Sequence, residues 1–404
     1  MPPSCTVSAL AQQYRRPRSL HFQPWYAKVP AMKCLHHLCS FLLLLALLPS
    51  PVRAANIPEE LPLEAMIGQM IMVGFRGNGS ADTHELRAVL EDIRTGRIGG
   101  VIFFDRDWQT KKRGKNITSV AQTTKLCTLL QKGAAIPLFI AVDQEGGRVQ
   151  RLRPDHGFPA TPTAWELGQG ETKNTYKTAY SMGEGLRRIG INVNFAPVAD
   201  IAVNPESPAI GALNRAFSAD PKTASKHAAA FLQGLTEAGV IGSYKHFPGH
   251  GSAIDDSHHK LTDISATWSE QELTPYTTLP PNGPFMVMTG HLFHRGLDPQ
   301  YPASLSHAVT TNLLRGKLGW QGVVITDDLE MEAINLFYPF EQRIQLAIDA
   351  GVDIILFGNN LQYHPEQGQR VYRAILSLVQ NGKISPARIT ESWRRIRTLK
   401  QALR

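Results

Sequence analysis

Lys245-His246-Phe247-Pro248-Gly249-His250-Gly251, followed at once by a loop carrying Asp256-Ser257-His258, gathers an ammonium, three imidazoles and a histidine-adjacent acid into one short span. Imidazole titrates near neutrality, so such a cluster suits proton transfer or metal binding. A zinc-binding pair of histidines four residues apart needs a shared helical face. Pro248 and Gly249 stand between His246 and His250 and forbid a continuous helix there. The span therefore reads as a strand end running into a loop.

Three more segments carry acids and cations in a fixed order. They are Asp143-Gln144-Glu145-Gly146-Gly147-Arg148-Val149-Gln150-Arg151, Asn194-Phe195-Ala196-Pro197-Val198-Ala199-Asp200 and Val324-Ile325-Thr326-Asp327-Asp328-Leu329-Glu330-Met331. Together with the histidine span they resemble glycoside hydrolase family 3, in particular its bacterial β-N-acetylhexosaminidase branch, through the patterns D-x-E-G-G-R-V-x-R, N-F-A-P-V-x-D, K-H-F-P-G-H-G with D-S-H, and the segment that carries the nucleophile. Family-like residues extend from about Leu61 to about Gly358.

The resemblance implies a retaining exo-β-N-acetylhexosaminidase acting on peptidoglycan fragments or chitooligosaccharides. Retention needs a nucleophile on one face of the sugar and a proton donor on the other, ordinarily two carboxyl groups about 5 Å apart. Asp327 ends an apolar, strand-like run and occupies the family's nucleophile position, whereas Asp328 suits a helix cap. For the acid the resemblance implies His258 paired with Asp256, an aspartate that would orient the ring and stabilise the imidazolium. Asp143, Arg151, Arg215, Lys245 and His246 match the positions that hold the nonreducing sugar, Arg215 through the looser segment Asn214-Arg215-Ala216-Phe217-Ser218. His250, Asp200, His291 and Met331 read as pocket supports or direct contacts. Gly146 and Gly147 read as a turn or as a close approach of backbone to ligand. Asp107 stands where many relatives carry asparagine, which points to an altered pocket wall.

No cofactor is implied, because side chains suffice for this chemistry. Rival readings are a phosphorylase or a β-glucosidase on the same fold, a sugar-binding barrel without turnover, and a metal-dependent hydrolase. Lysine and arginine around the histidines oppose a dication.

The elements that must position these residues follow from periodicity. Short apolar runs rich in β-branched residues alternate with longer stretches of helical period, as in repeated βα units around a parallel sheet. Eight strands are predicted at Gln69–Phe75, Gly100–Phe104, Leu138–Asp143, Val193–Ala196, Gly242–His246, Phe285–Thr289, Val323–Asp327 and Ile354–Gly358. Helices are predicted at Thr83–Thr95, Ser119–Lys132, Thr172–Arg188, Lys222–Ala238, Thr310–Leu318 and Glu341–Ala350, with Val371–Gln380 and Pro386–Leu403 closing the chain. An open doubly wound sheet fits the same alternation. However, Asp143, Asp200, Lys245, His246, His291 and Asp327 fall at the ends of different strands, and only a closed barrel converges all those ends on one pocket. The expected fold class is therefore α/β, a single (β/α)8 TIM-type barrel with C-terminal closing helices.

The chain has 404 residues, 43% of them apolar, enough for a large core. Met32-Lys33, the run Phe41 to Leu48 and the boundary Val52-Arg53-Ala54 form the pattern of a secretory leader, too short in its apolar part to span a bilayer. The expected organisation is a cleaved leader at 1–54, a catalytic domain at 55–404, and export to the periplasm or exterior. Removing the leader takes six cations and no acid, which reduces the net charge of +8 to about +2. A near-neutral domain lacks the basic excess that nucleic acid demands, so the expected partner is a carbohydrate. Cys127 is left without a disulfide partner, at helical spacing among Leu126, Leu129 and Leu130, where it reads as packing.

Overall fold

The computed structural model describes residues 57–257, 260–280 and 283–403. The expected leader and His258 lie outside the described residues. Eight parallel strands organise the body: β1 Ile71–Gly74, β2 Gly100–Phe103, β3 Phe139–Val142, β4 Val193–Asn194, β5 Ser243–Phe247, β6 Met286–Thr289, β7 Val323–Thr326 and β8 Ile355–Phe357. Every residue of these strands is buried, which is why most of them read as continuous apolar runs rather than alternation; Ser243–Phe247 instead buries Lys245 and His246.

The strands pair in two parallel sheets, one in the order β8-β1-β2-β3-β4 and the other β7-β6-β5. Ile71 pairs with Ile355, Gly100 with Phe139, and Met286 with both Val323 and Ser243. Isolated parallel bridges join Val193 to Ile241, Val198 to Lys245 and Ile325 to Ile354.

All eight predicted strands are present, seven of them shortened at their ends and the fifth shifted by one residue, from Gly242–His246 to Ser243–Phe247. Gln69 is not a strand residue, because it completes a helix, Leu63–Gln69, that periodicity did not reveal. Helices His84–Arg94, Val120–Lys132 and Pro221–Glu237 begin where Thr83, Ser119 and Asp220 accept backbone N–H bonds, as capping residues do. The predicted α-helix at Thr310–Leu318 is instead a π-helix, Ala308–Lys317, whose end is marked by a bond from Leu318 N to Leu313 O. Its turns are pulled toward neighbouring carbonyls, since the Thr310 and Thr311 hydroxyls donate to Ala303 O and Ala350 O. The closing helices are Gln367–Gln380, with its amphipathic face on the core, and Pro386–Lys400.

These last helices tie down the N-terminal strand ends, away from the acids and histidines. Lys400 is buried and donates to Gln69 Oε1, Gly99 O and Pro137 O, and burial lowers its ammonium to about 7. Asp353, just before β8, is fully buried and pairs with Arg315 at 2.7 Å and Arg395 at 3.1 Å, with Arg388 at 3.7 Å. Cys127 is buried, and burial pushes its thiol up to about 12, which leaves it a packing residue.

Candidate active site

At the C-terminal strand ends lies a cavity of about 540 Å³, within the usual range for small-molecule sites. Its lining includes Asp143, Arg151, Arg215, Lys245, His246, Asp256 and Asp327, the described residues expected to bind sugar or to catalyse, and Met331, whereas Asp200, His250 and His291 are not part of the lining.

At its base is a lattice of ion pairs. Lys245, only 3% exposed in its side chain, places Nζ 2.9 Å from Asp143 Oδ1 and 2.7 Å from Glu145 Oε1. Arg215 forks onto Glu145 with two bonds of 2.8 Å and donates from Nη1 to Ala209 O. Arg151 stands 3.6 Å from Asp143 Oδ2. Burial works to raise the Glu145 carboxyl, but the charges of Arg215 and Lys245 outweigh it and hold it far below the usual range. Arg215 thus spends its guanidinium chiefly on Glu145, and its contribution to the cavity is the wall it shares with that acid. Glu145 itself was not singled out from the sequence, although it sits inside the quoted D-x-E-G-G-R pattern.

The hairpin that carries Glu145 explains the paired glycines. Gly146 and Gly147 have φ of 107° and 56°, the left-handed region, and a Cβ on Gly146 would come 2.2 Å from Pro162 O. They serve a tight turn packed against the 160s segment.

The histidine span is held by two buried acids. Asp200 accepts from His246 N and His250 N through Oδ1, while its Oδ2 lies 2.6 Å from His246 Nδ1. Glu272 accepts from Gly251 N at 2.9 Å and Ser252 N at 3.3 Å. Burial, with some help from the charge of Asp200, raises the Glu272 carboxyl to about 7. Gly249 has φ of 128°, and a Cβ there would meet Glu272 Cβ at 2.6 Å. His250 is buried, which lowers it to about 4, and its Nε2 lies 3.1 Å from Ser257 Oγ. His246 lines the cavity, whereas His250 braces the loop that leads to Asp256. No sequence signal marked Glu272, whose role depends on a contact across 21 residues.

Asp327 follows β7 directly. Its N–H donates to Thr289 O of β6, and its Oδ1 accepts from Asp328 N at 2.8 Å. Asp328 accepts from Glu330 N and Gly358 N through Oδ1. His291 donates from Nε2 to Asp328 O, and its Nδ1 lies 2.7 Å from the Ser304 hydroxyl. His291 therefore supports the Asp327–Asp328 turn. Glu330, another residue the sequence did not single out, lines the cavity with Oε2 buried and without a hydrogen-bond partner. Burial, then the charge of Asp328, raises its carboxyl to about 9. Asp107 does not form the wall expected of it. It pairs with Arg76 at 2.6 Å and accepts from Thr110 N, while Arg106 and Trp108 line the cavity beside it. Among the described residues no three His, Cys, Asp or Glu side chains converge as metal ligands.

A sequence model of the glycosyl hydrolase family 3 N-terminal domain matches residues 62–399. The chain belongs to this family. Among its relatives, "Beta-hexosaminidase A" of Pseudoalteromonas piscicida is 32% identical over 87% of this chain and 62% of its own length. "Beta-hexosaminidase" of Bordetella avium is 34% identical over 80% of this chain and 90% of its own. A solved family 3 β-N-acetylglucosaminidase from Paenibacillus superposes with a TM-score of 0.76 at 36% identity, covering 85% of this chain and 63% of that one. The chain thus spans under two thirds of the first relative and of the Paenibacillus enzyme.

Proposed function

We propose that this chain is a retaining, exo-acting β-N-acetylhexosaminidase that removes terminal β-linked N-acetylglucosamine from peptidoglycan fragments or chitooligosaccharides. The names of its relatives support the reaction class. The observation that carries the mechanism is Asp327, at the end of β7, lining the same cavity as Asp256 and the Asp143–Lys245–Glu145–Arg215 lattice. In the first step the Asp327 carboxylate attacks the anomeric carbon, the glycosidic C–O bond breaks, and the His258 imidazolium gives its proton to the departing oxygen. In the second, water attacks the anomeric carbon, passes a proton to His258, and frees Asp327. Asp256 orients the imidazole, while Asp143, Arg151, Lys245 and His246 hydrogen-bond the hydroxyls and acetamido group, with Arg215 held alongside by Glu145.

Residues 55–404 act as one catalytic domain. The three bridges between the sheets support closure of the eight strands into a (β/α)8 barrel, which would bring all the C-terminal ends to one mouth. Residues 1–54 are a leader that directs export, a reading supported by the leucine run and the Val52-Arg53-Ala54 boundary.

Purified protein lacking residues 1–54 is to be assayed on aryl N-acetylglucosaminide and aryl glucoside, with and without phosphate and with a chelator. Phosphate-independent, chelator-resistant hydrolysis of the N-acetylglucosaminide alone is expected. Preference for the glucoside, turnover only with phosphate, or loss to the chelator would select one of the rival reactions.

A further inference from the structure

Trp108 leaves 46% of its surface in solvent, yet it lines the cavity whose base holds Lys245 at 3% side-chain exposure. It therefore stands toward the mouth. The loop beneath it is firmly built. Arg106 bridges to Arg113, Asp107 N donates to Lys112 O, and Gly114 N donates to Asp105 O. Asn360, from the segment after β8, accepts from Trp108 N at 3.0 Å and from Lys115 Nζ at 2.9 Å, and donates to Arg106 O. The one of these bonds that reaches Trp108 uses its backbone N–H, and none uses the indole. Leaving so large an apolar side chain in water forgoes stabilisation that burial would give. Lys111 Nζ lies 3.9 Å over the ring. With 46% of the residue still exposed, ring surface beyond this contact remains for another planar or C–H-rich group.

Pyranose rings present a face of C–H bonds ringed by hydroxyls. Here a flat aromatic is flanked on the same wall by Arg106, Asn360 and Gln362, donors and acceptors suited to those hydroxyls. We propose that Trp108 is the platform of a second sugar position, on the leaving-group side, and thereby sets how tightly the sugar aglycone of the proposed substrates is held. This rests on the glycosidase reading of the cavity.

The test compares wild type, Trp108→Ala and Trp108→Phe on N,N′-diacetylchitobiose and on N-acetylglucosaminyl fluoride, whose leaving group is too small to reach Trp108. For Trp108→Ala, kcat/KM on chitobiose should fall about 10-fold, mainly through KM, while Trp108→Phe keeps most of it. Both variants should hydrolyse the fluoride within about 2-fold of wild type, which also reports an intact site. An unchanged chitobiose rate, or equal losses on both substrates, would refute the platform. Should the wild type hydrolyse neither, the glycosidase reading falls. Calorimetric titration of chitobiose then judges Trp108 alone, since affinity must still drop in Trp108→Ala.

Discussion

Asp327 and Asp328 are adjacent acids with separate duties. Both line the cavity, but Asp328 accepts the N–H groups of Glu330 and Gly358, whereas Asp327 ends β7 and accepts the N–H of Asp328. Asp327→Asn should keep sugar affinity while turnover falls by several orders of magnitude, because an amide forms no glycosyl ester. Near-normal rates on an activated aryl glycoside would remove Asp327 from that role. In kcat/KM, which reports the glycosylation step, His258→Ala should cost about 10²–10⁴-fold on substrates with poor leaving groups and far less on dinitrophenyl glycosides, whose leaving group departs unprotonated, while kcat on the latter falls because hydrolysis of the intermediate loses its base. Equal losses across leaving groups would make His258 a binding residue instead. Glu330 yields a stability test. From the ordinary carboxyl range up to about 9, the folded chain keeps a proton that the unfolded chain has released, so stability is lost as pH rises through that window. Glu330→Gln removes this titration, and its gain in unfolding free energy over wild type should be larger near pH 8 than near pH 5, by about 1 kcal/mol or more. The same difference at both pH values would mean that Glu330 does not titrate there. Asp143, Lys245 and His246 were legible in the sequence because motif and strand end coincide. Glu272 was not, because a buried carboxylate gripping backbone N–H groups of a distant loop leaves no local pattern.

Strands were the most legible elements, since burial on both faces writes them as unbroken apolar runs such as Val323–Thr326. Helix type was less so. Spacing in the 308–318 segment fits an α-helix, and only contacts to Ala303 and Ala350 account for the wider turns. The helix Leu63–Gln69 was lost into the apolar run that continues as β1. The closing helix Pro386–Lys400 was legible, but the reason it docks was not. Arg388 and Arg395 come from it and Arg315 from the π-helix, and all three meet Asp353 before β8. Removing the acid leaves three guanidinium groups crowded in the interior. Asp353→Ala should therefore destabilise by about 3–5 kcal/mol in urea denaturation, with kcat on an aryl glycoside near wild type wherever the variant is folded. A loss under about 1 kcal/mol would show that the cluster behaves as a surface pair.

At the scale of the molecule, the described body begins at residue 57, and its first residues are already engaged. Arg397 Nε donates to Ile57 O, and Trp393 Nε1 donates to Glu59 O at 3.0 Å. A protein beginning at Ala55 should be folded and active, whereas one beginning at Leu63 loses both contacts and should melt lower; equal melting temperatures would deny these contacts a role. Convergence of acids from several strand ends on one cavity was the inference the sequence supported best, because it depends only on the order of strands and their terminal residues. The depth at which each side chain sits was beyond it, which is why exposed Trp108 and buried Glu330 emerged only from the structure. The central claim, a covalent glycosyl intermediate on Asp327, is tested most directly by intact mass spectrometry of His258→Ala quenched during turnover of a dinitrophenyl N-acetylglucosaminide. The expected result is a protein heavier by one N-acetylhexosamine residue, with the increment mapping to the peptide containing Asp327 and absent from the Asp327→Asn double variant. An adduct on another residue, or turnover in which no adduct ever accumulates even with this slowed variant, would contradict it.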